Sequence, residues 1–291
     1  MERALVGLAV LSWISLPGCG SSNPATGTDA GTRDAASVDA AGNTGPDANR
    51  PADDAGTTPG DDAGTSAGPG CAGHDYLFCE DWESATGSAL PAGWTIDHGW
   101  MDGDPSVTTE QHHGGTHALH GAIAESGQHR AVHSIAALGA AGGHHWGRIY
   151  YRVTAPAFVP PSGTVNHATL LALLGTGETR VVDTVMSDQG DAQFLLNTPD
   201  DHCCVGSSYD YASFDGAWHC AEWYVEHDTD SYRFFYDGTE VTSIAYTGTN
   251  GIPVEVFDRV TVGLRNYQSA TTPYDAYFDD LVIDDTRVGC E

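Results

Sequence analysis

The sequence predicts an all-β domain in which two antiparallel sheets pack as a sandwich or barrel, with a jelly roll as the leading candidate at this size. Short alternating runs recur between turn clusters from Cys71 to Glu291, and Gly, Asp, Thr and aromatic residues dominate them. Helix signals are nearly absent. The segment 71–291 is long enough for one sizeable domain, so a single β-sandwich is expected to fill it.

The individual strands are predicted from alternation and from strand-forming residues. Ala168–Leu174 is almost wholly apolar, which is typical of a strand covered on both faces. Asp237-Gly238 is a hairpin turn signal. Asn197–Gly216 has turn residues and two cysteines, and is predicted to be a loop closed by a disulfide. The predicted strands are Asp75–Trp82, the end of Pro91–Ile96, His117–Ile123, Ala131–Ile135, Arg148–Val153, Ala168–Leu174, Arg180–Met186, Ala192–Leu196, Trp218–His227, Tyr232–Tyr236, Thr239–Val241, Val260–Tyr267 and Ala276–Ile283.

The closing strand contains an unusual aspartate. Strict alternation places Asp279 on the face of Leu281 and Ile283, which is otherwise apolar. A buried carboxylate costs several kcal/mol unless it is paired or bound to a metal. Lysine is absent and arginine is sparse. Two interpretations follow: Asp279 binds calcium, for which oxygen ligands are suitable, or the strand lies at a sheet edge with Asp279 and Asp280 in solvent.

The N-terminus predicts a secreted protein. After Arg3, an apolar run from Ala4 to Leu16 is too short for a stable membrane anchor but suits a signal peptide. Its end, Leu16-Pro17-Gly18-Cys19, resembles the lipobox of bacterial lipoproteins, so residues 1–18 are predicted to be a lipoprotein signal peptide with Cys19 as the lipidation site. The alternative is an ordinary secreted protein with a stray cysteine. The lipoprotein interpretation predicts a bacterial cell envelope location, at the outer membrane or cell surface.

Residues 19–70 are predicted to be a disordered linker. They consist mostly of Ala, Gly, Thr, Asp, Ser and Pro and contain no aromatic residue. Such a segment cannot bury enough apolar surface to offset its backbone entropy. Its expected role is to hold the folded domain away from a membrane.

The strongly acidic composition limits the possible partners. The formal net charge of −29 argues against nucleic acid and anionic lipid surfaces, and more weakly against acidic polymers. Contact with a membrane is therefore expected through the lipid anchor only, and the domain is expected to be a monomer.

Six cysteines remain when Cys19 is set aside, and an even number outside the cytoplasm predicts disulfides. Sequence alone does not determine the pairing. One of the adjacent Cys203 and Cys204 is expected to pair with Cys220. Cys290 is expected to pair with Cys71 or Cys79. Zinc is the alternative, but no C-x-x-C spacing supports it.

Several segments together resemble the concanavalin A-like jelly rolls of cellulose-induced secreted fungal proteins and their bacterial relatives, which are similar to glucuronan and alginate lyases. The resemblance spans roughly the whole domain, and it depends on the order and spacing of the motifs. The segments are Phe78–Ser84, Val107–Thr109, His113–Leu119, Asn166-His167, Trp218–Glu222, Phe235–Gly238, Phe278–Asp280 and Thr286–Cys290.

The resemblance implies a structural calcium ion that joins the first and last strands. The implied ligands are Glu83, Asp279 and oxygens of the turn at Gly114 and His117. The last two positions differ from the residue types that the family often shows, so backbone carbonyls would have to bind. On pattern alone, Glu80 is an equal candidate to Glu83, and Glu83 at a solvated strand end is the further alternative.

The strand around residue 264 predicts a polar binding face. Val260, Val262 and Leu264 share one face, expected in the core, whereas Arg265 and Tyr267 share the other. That second face is polar and aromatic, as expected for a carbohydrate groove.

The resemblance gives this face candidate catalytic residues. It implicates His167 and Tyr267 in β-elimination on uronate polymers, with Arg265 or Arg180 neutralising the substrate carboxylate. The strand from Arg180 to Met186 departs from the family, whose lyases have Gly and Gln there. A surface-anchored polysaccharide-binding module is therefore the first hypothesis, a polysaccharide lyase the second, and a purely structural surface module the third.

Overall fold

The structure is a computed structural model that describes residues 70–99, 103–123, 126–154, 160–199, 205–248, 254–268 and 274–290. Residues 1–18, most of the predicted linker 19–70, and Cys19, Cys203 and Cys204 lie outside the described residues. Within the part of the chain that the structure describes, no helix is both long and apolar enough to cross a membrane.

The described chain is almost entirely β-strand, as predicted. The strands are β1 Phe78–Glu80, β2 Trp94–Ile96, β3 Ser106–Thr108, β4 Ala118–Ile123, β5 Gly127–Ser134, β6 His144–Val153, β7 Asn166–Leu174, β8 Glu178–Met186, β9 Ala192–Asn197, β10 Val205–Gly206, β11 Trp218–Glu226, β12 Ser231–Tyr236, β13 Thr239–Glu240, β14 Tyr246–Thr247, β15 Arg259–Asn266 and β16 Tyr274–Asp284. Two 3-10 helices cover Ala136–Gly143 and Thr242–Ile244.

These strands form two antiparallel sheets, so the predicted two-sheet jelly-roll sandwich is confirmed. The front sheet has seven strands in the order β10-β9-β8-β7-β15-β5-β2. The back sheet has nine, in the order β13-β12-β11-β6-β16-β4-β3, with β1 paired to β16 and β14 paired to β12. Neighbours such as β7 and β15, or β6 and β16, are distant in sequence, so the sandwich is held together by long-range pairing.

The core lies between the sheets and follows the period of two. Val260, Val262 and Leu264 on β15 are fully buried, which confirms the predicted core face of that strand. Each large apolar side chain removed from water contributes about 1.5–3 kcal/mol. The largest buried side chains from the two sheets and their loops meet in one cluster, which includes Trp82, Tyr151, Phe194, Phe214, Trp223, Tyr232, Phe234, Phe257 and Phe278.

The predicted strands agree with the observed ones to within a few residues, and the omissions are short. β3 was not predicted. β10 lies inside the segment predicted as a loop, and β14 follows the second 3-10 helix. These strands have two or three residues, too few for an alternating pattern to be recognised.

The prediction of strict alternation along the closing strand is wrong. Pairing with β6 shifts register between Asp279 and Val282, and Asp280 has a positive φ of 49°. This β-bulge puts Phe278 on the same core face as Leu281 and Ile283 and removes Asp279 from that face. The edge-strand alternative is also wrong, because β16 lies between β6 and β4 and both aspartates are fully buried.

The prediction of disulfides is confirmed, but the predicted pairings of Cys71, Cys79, Cys220 and Cys290 are wrong. Cys71 pairs with Cys79, and Cys220 on β11 pairs with Cys290. The C-terminal segment lies against β11, where the Gly289 N–H donates to Glu222 Oε1 at 2.7 Å. This path brings Cys290 close to Cys220. The sequence alone does not show where the C-terminal segment lies in the fold, so it could not predict this pairing.

Candidate functional site

The four predicted catalytic residues lie together on the outer face of the front sheet. Direct strand pairing aligns Asp183 on β8 with Thr169 on β7, and Thr169 with Arg265 on β15. Paired residues point to the same side of a sheet, so these side chains share one surface. We call this group the front-sheet cluster: His167, Thr169, Arg180, Asp183, Arg265 and Tyr267.

A histidine and a buried carboxylate form its centre. His167 Nε2 lies 2.8 Å from Asp183 Oδ2, and Thr169 Oγ1 donates to Asp183 Oδ1 at 2.7 Å. The Asn197 side-chain amide also donates to Asp183. Asp183 is fully buried, whereas the His167 side chain is 20% exposed. A carboxylate accepts hydrogen bonds, so His167 donates from Nε2, and Nδ1 is the ring nitrogen that Asp183 does not engage.

Tyr267 is packed between the histidine and two guanidinium groups. Its ring stacks on His167 at a centroid distance of 4.4 Å. The guanidinium carbons of Arg180 and Arg265 lie 4.9 and 5.8 Å from its ring centroid. Burial, and next the charge of Asp183, raise the pKa of the Tyr267 hydroxyl, against the opposing effect of Arg180. Tyr267 therefore stays protonated at neutral pH, the state required of a proton donor.

A hydrogen-bonded chain links the tyrosine to the buried carboxylate. The Tyr267 hydroxyl lies 3.1 Å from Thr169 Oγ1. Because Thr169 uses its own hydrogen to donate to Asp183, its oxygen accepts from Tyr267. The hydroxyls and the carboxylate thus hold His167 and Tyr267 in fixed positions beside each other.

Three arginines converge on Glu178 beside this cluster. Glu178 Oε1 accepts from Arg180 Nε at 3.0 Å and from Arg265 Nη1 at 2.7 Å, and Oε2 accepts from Arg130 Nη2 at 3.0 Å. Burial would raise the pKa of the Glu178 carboxyl, but the charges of Arg130 and Arg265 outweigh it and lower that pKa to about 2. The whole chain has only 11 Lys and Arg residues, so this is a marked local concentration of arginines, whose charge is partly offset by Glu178 and by Asp97, which accepts from Arg130.

Sequence reasoning did not identify several residues that hold the cluster together. Asp183 and Glu178 were missed, although Asp183 interrupts the apolar run Val181-Val182 and Val185-Met186 and was a detectable signal. Arg130 was also missed, because its strand is separated from β8 by more than forty residues of chain. Asn197 on β9, which sequence reasoning also missed, brings a side-chain amide to Asp183.

The predicted metal residues lie at a second place, where one turn joins the opening segment to β16. Asp279 Oδ2 accepts the backbone N–H groups of His113 at 2.8 Å and Gly114 at 3.0 Å, and its Oδ1 accepts that of Asp280. Burial first, and then the charge of Asp280, raise the pKa of Asp279 to about 8 despite these donors.

Glu83 binds the other end of the same turn. Its Oε1 accepts the backbone N–H groups of Thr116 at 2.5 Å and His117 at 2.7 Å, and the Thr116 hydroxyl donates to Oε2. Burial would raise the pKa of Glu83, but these hydrogen bonds outweigh it and lower the pKa to about 2. We call this region, Glu83, residues 113–117 and Asp279, the clasp.

The clasp as described does not have the geometry of a calcium cage. Gly114 and His117 direct N–H groups, not carbonyl oxygens, at the two carboxylates. Glu80, the alternative ligand, accepts from Trp82 N and Trp94 Nε1. Among the described residues, no group of three or more His, Cys, Asp or Glu side chains is arranged to hold a metal. Calcium therefore stays a prediction.

Comparison with solved structures finds the same fold at low sequence identity. "Cellulose induced protein, Cip1" has a TM-score of 0.50 and 16% identity, and the match covers 74% of this chain and 100% of that one. An endo-β-1,4-glucuronan lyase from Trichoderma reesei has a TM-score of 0.46 and 14% identity, with 72% and 96% covered. No protein-family profile and no curated protein sequence matches this chain.

Proposed function

We propose that the front-sheet cluster binds an acidic polysaccharide, and that the protein is a surface-anchored carbohydrate-binding module. The observation that carries this proposal is the pair of partly exposed arginines, Arg180 and Arg265, that donate to Glu178 beside a partly exposed Tyr267, with the buried Arg130 on the other oxygen of Glu178. Arginine pairs with planar carboxylates through parallel hydrogen bonds, and an aromatic ring packs against a sugar. Uronate units provide both a carboxylate and a sugar ring.

The acidic surface of the domain sharpens this proposal. A net charge of −29 repels a polyanion over most of the molecule, so binding has to depend on the local arginine group. Affinity electrophoresis through gels that contain glucuronan, alginate or a neutral glucan tests this. Retardation is expected in the uronate gels and should weaken with added salt. Equal mobility in all gels would contradict the proposal.

A second candidate function is β-elimination at the same place, and the contact between His167 and Asp183 favours it. In that reaction a base takes the C5 proton of a uronate, the C4–C5 double bond forms as the C4–O bond breaks, and the leaving oxygen takes a proton. His167 Nδ1 is suited to accept the first proton and the Tyr267 hydroxyl to supply the second, while Arg180 and Arg265 stabilise the charge on the carboxylate.

The lyase proposal has a separate test. Unsaturated uronate products absorb ultraviolet light, so their appearance from glucuronan or alginate measures elimination directly. Tyr267→Phe is expected to abolish the product and to keep binding, because the ring and the arginines remain. A wild-type protein that binds but releases no product would leave the binding module as the function.

Anchoring and calcium are further proposals from the sequence. Lipidation of Cys19 would hold the domain at the bacterial envelope, where we expect it to be a monomer. Mass spectrometry of the N-terminal peptide tests the lipidation, with Cys19→Ala as control. If calcium joins the chain ends, EDTA should lower the Tm of protein purified with calcium. An unchanged Tm would mean that the hydrogen bonds of the clasp suffice.

A further inference from the structure

We infer that Tyr209 and Gln193 form an outer sugar-binding subsite on the same face as the front-sheet cluster, an inference that rests on the proposed polysaccharide binding. Tyr209 is one of few large apolar side chains among the described residues that are well exposed, at 38%. Its hydroxyl accepts a hydrogen bond from Gln193 Nε2 at 3.0 Å, which directs the ring toward β9.

Strand pairing places this tyrosine in line with the candidate base. Gln193 on β9 pairs directly with Val185 on β8, and Val185 pairs directly with His167 on β7. The three side chains therefore point to the same side of the sheet. Neighbouring strands are about 4.8 Å apart, so Gln193 and His167 are separated by roughly 10 Å. One monosaccharide does not span that distance, whereas an oligosaccharide does.

The surface between the two positions suits a sugar chain. Val185 and Leu195 are not part of the core cluster between the sheets, so they form an apolar floor on the outer face, which neighbouring side chains cover to leave 6% and 7% exposed. Leu195 pairs with Asp183, which places this floor directly beside the front-sheet cluster. A sugar ring above this covered floor would pack its apolar face on the exposed Tyr209 ring while its hydroxyls contact Gln193.

The segment that carries Tyr209 is held in place on both sides. Before it, Ser207 N donates to Phe194 O at 2.9 Å, and Phe194 N donates to Ser207 Oγ at 2.9 Å. After it, Tyr211 and Ala192 exchange backbone hydrogen bonds at 2.8 and 3.1 Å. A ring that is already positioned loses little conformational freedom on binding, which is the property of an effective stacking platform.

The chemistry of this subsite differs from that of the arginine group. Its nearest charged neighbour in the chain is Asp210, which accepts from Ser208, and neither Tyr209 nor Gln193 offers a positive charge to a carboxylate. The outer subsite therefore recognises the ring and hydroxyls of a sugar, and the arginine group recognises the carboxylate of another unit. Binding should consequently depend on the length of the oligosaccharide.

Calorimetric titration of the full chain with glucuronan or alginate oligosaccharides of two to six units tests this, with mass spectrometry after each run to verify that the ligand is intact. Tyr209→Ala is expected to weaken binding of the hexasaccharide about three- to tenfold and to leave the disaccharide unchanged. Tyr209→Phe keeps the ring and should bind like the wild type. Tyr224→Ala removes a partly exposed tyrosine of the back sheet and should also bind like the wild type.

The outcomes separate the two proposals. Wild-type protein that binds longer oligosaccharides more tightly, with no difference in Tyr209→Ala, overturns the outer subsite and leaves the proposed function intact. Wild-type protein that binds no uronate oligosaccharide overturns the proposed function and the subsite with it. Circular dichroism and the Tm of each variant verify that the fold is retained.

Discussion

The clasp and the front-sheet cluster both bury carboxylates, and they satisfy them in opposite ways. In the clasp, Asp279 and Glu83 accept mainly backbone N–H groups of one turn. In the front-sheet cluster and beside it, Asp183 and Glu178 accept side-chain donors, mostly arginines and His167. Backbone donors are fixed by the fold, whereas side-chain donors can turn toward a ligand.

This difference indicates what each region does. Backbone amides around a carboxylate fix the path of the chain, so the clasp connects the opening segment, the turn and β16. Arg180 and Arg265, which share Glu178 and are 28% and 18% exposed, have further N–H groups for a ligand, because each guanidinium has five. The clasp is therefore expected to control stability, and the front-sheet cluster to control binding. The following variants test that division in order of decreasing expected effect.

The largest effect is expected when two arginines of the front-sheet cluster are removed together. Charge-assisted hydrogen bonds contribute about 1.5–3 kcal/mol each, so Arg180→Ala with Arg265→Ala should weaken binding of a uronate oligosaccharide by about a hundredfold or more. Arg259→Ala is the matched control, because Arg259 lies on the same strand and its ion pair with Asp258 is exposed. Equal affinity of the double variant and this control would show that the face is not the binding site.

The next effect is the loss of folding stability at acid pH, and the lowered pKa of Glu178 determines its direction. The folded-state pKa of Glu178 is lowered to about 2 from an ordinary value of 4.5, so its contribution to stability is present above pH 4.5 and is lost as the pH falls toward 2. A shift of this size corresponds to about 3 kcal/mol. Urea unfolding at a series of pH values should show this loss in the wild type.

Glu178→Gln isolates the source of that pH dependence. The variant should be less stable at neutral pH, because three arginines lose their shared partner, and it should lose less stability between pH 4.5 and 2. The same acid slope in both proteins would mean that Glu178 is not held ionised by the arginines.

A smaller effect is expected from one glycine in the clasp. Gly115 has a φ of +52°, and a Cβ there would lie 2.3 Å from Glu83 Oε1. Gly115→Ala should therefore lower the free energy of unfolding by about 1–3 kcal/mol and leave uronate affinity unchanged. Gly87→Ala separates the two causes, since Gly87 has a φ of +63° with no atom within 4 Å of a Cβ. Equal destabilisation of both would mean that the contact with Glu83 contributes nothing.

The sequence predicted more of the fold than of the sites. Alternating runs, together with the apolar run of β7, identified every strand longer than three residues, because such patterns are local properties of the chain. The prediction from alternation was wrong at Asp279, where a bulge inserts an extra residue and reverses the order of inward and outward side chains. The predicted disulfide pairing was also wrong, because the pairing depends on where the C-terminal segment lies and not on the spacing of cysteines.

The residues of the candidate site also divide into those that the sequence predicted and those that only the fold identified. His167, Arg180, Arg265 and Tyr267 were available from the sequence through a family resemblance and through the polar face of one strand. Glu178, Asp183 and Arg130, which hold them together, were not, because β5, β7, β8 and β15 come together only when strands distant in the chain pair.

By itself, the sequence determined an all-β sandwich, the core face of β15, and a domain whose scarce positive charge is arginine. The tertiary structure alone decided that three of those arginines share one glutamate, that a buried aspartate holds His167, and that the turn at residues 113–117 contacts both Glu83 and Asp279. The physical reason is that periodicity and composition are properties of neighbours in sequence. Charge pairing and amide donation at these sites depend on register between strands that the chain brings together from distant positions.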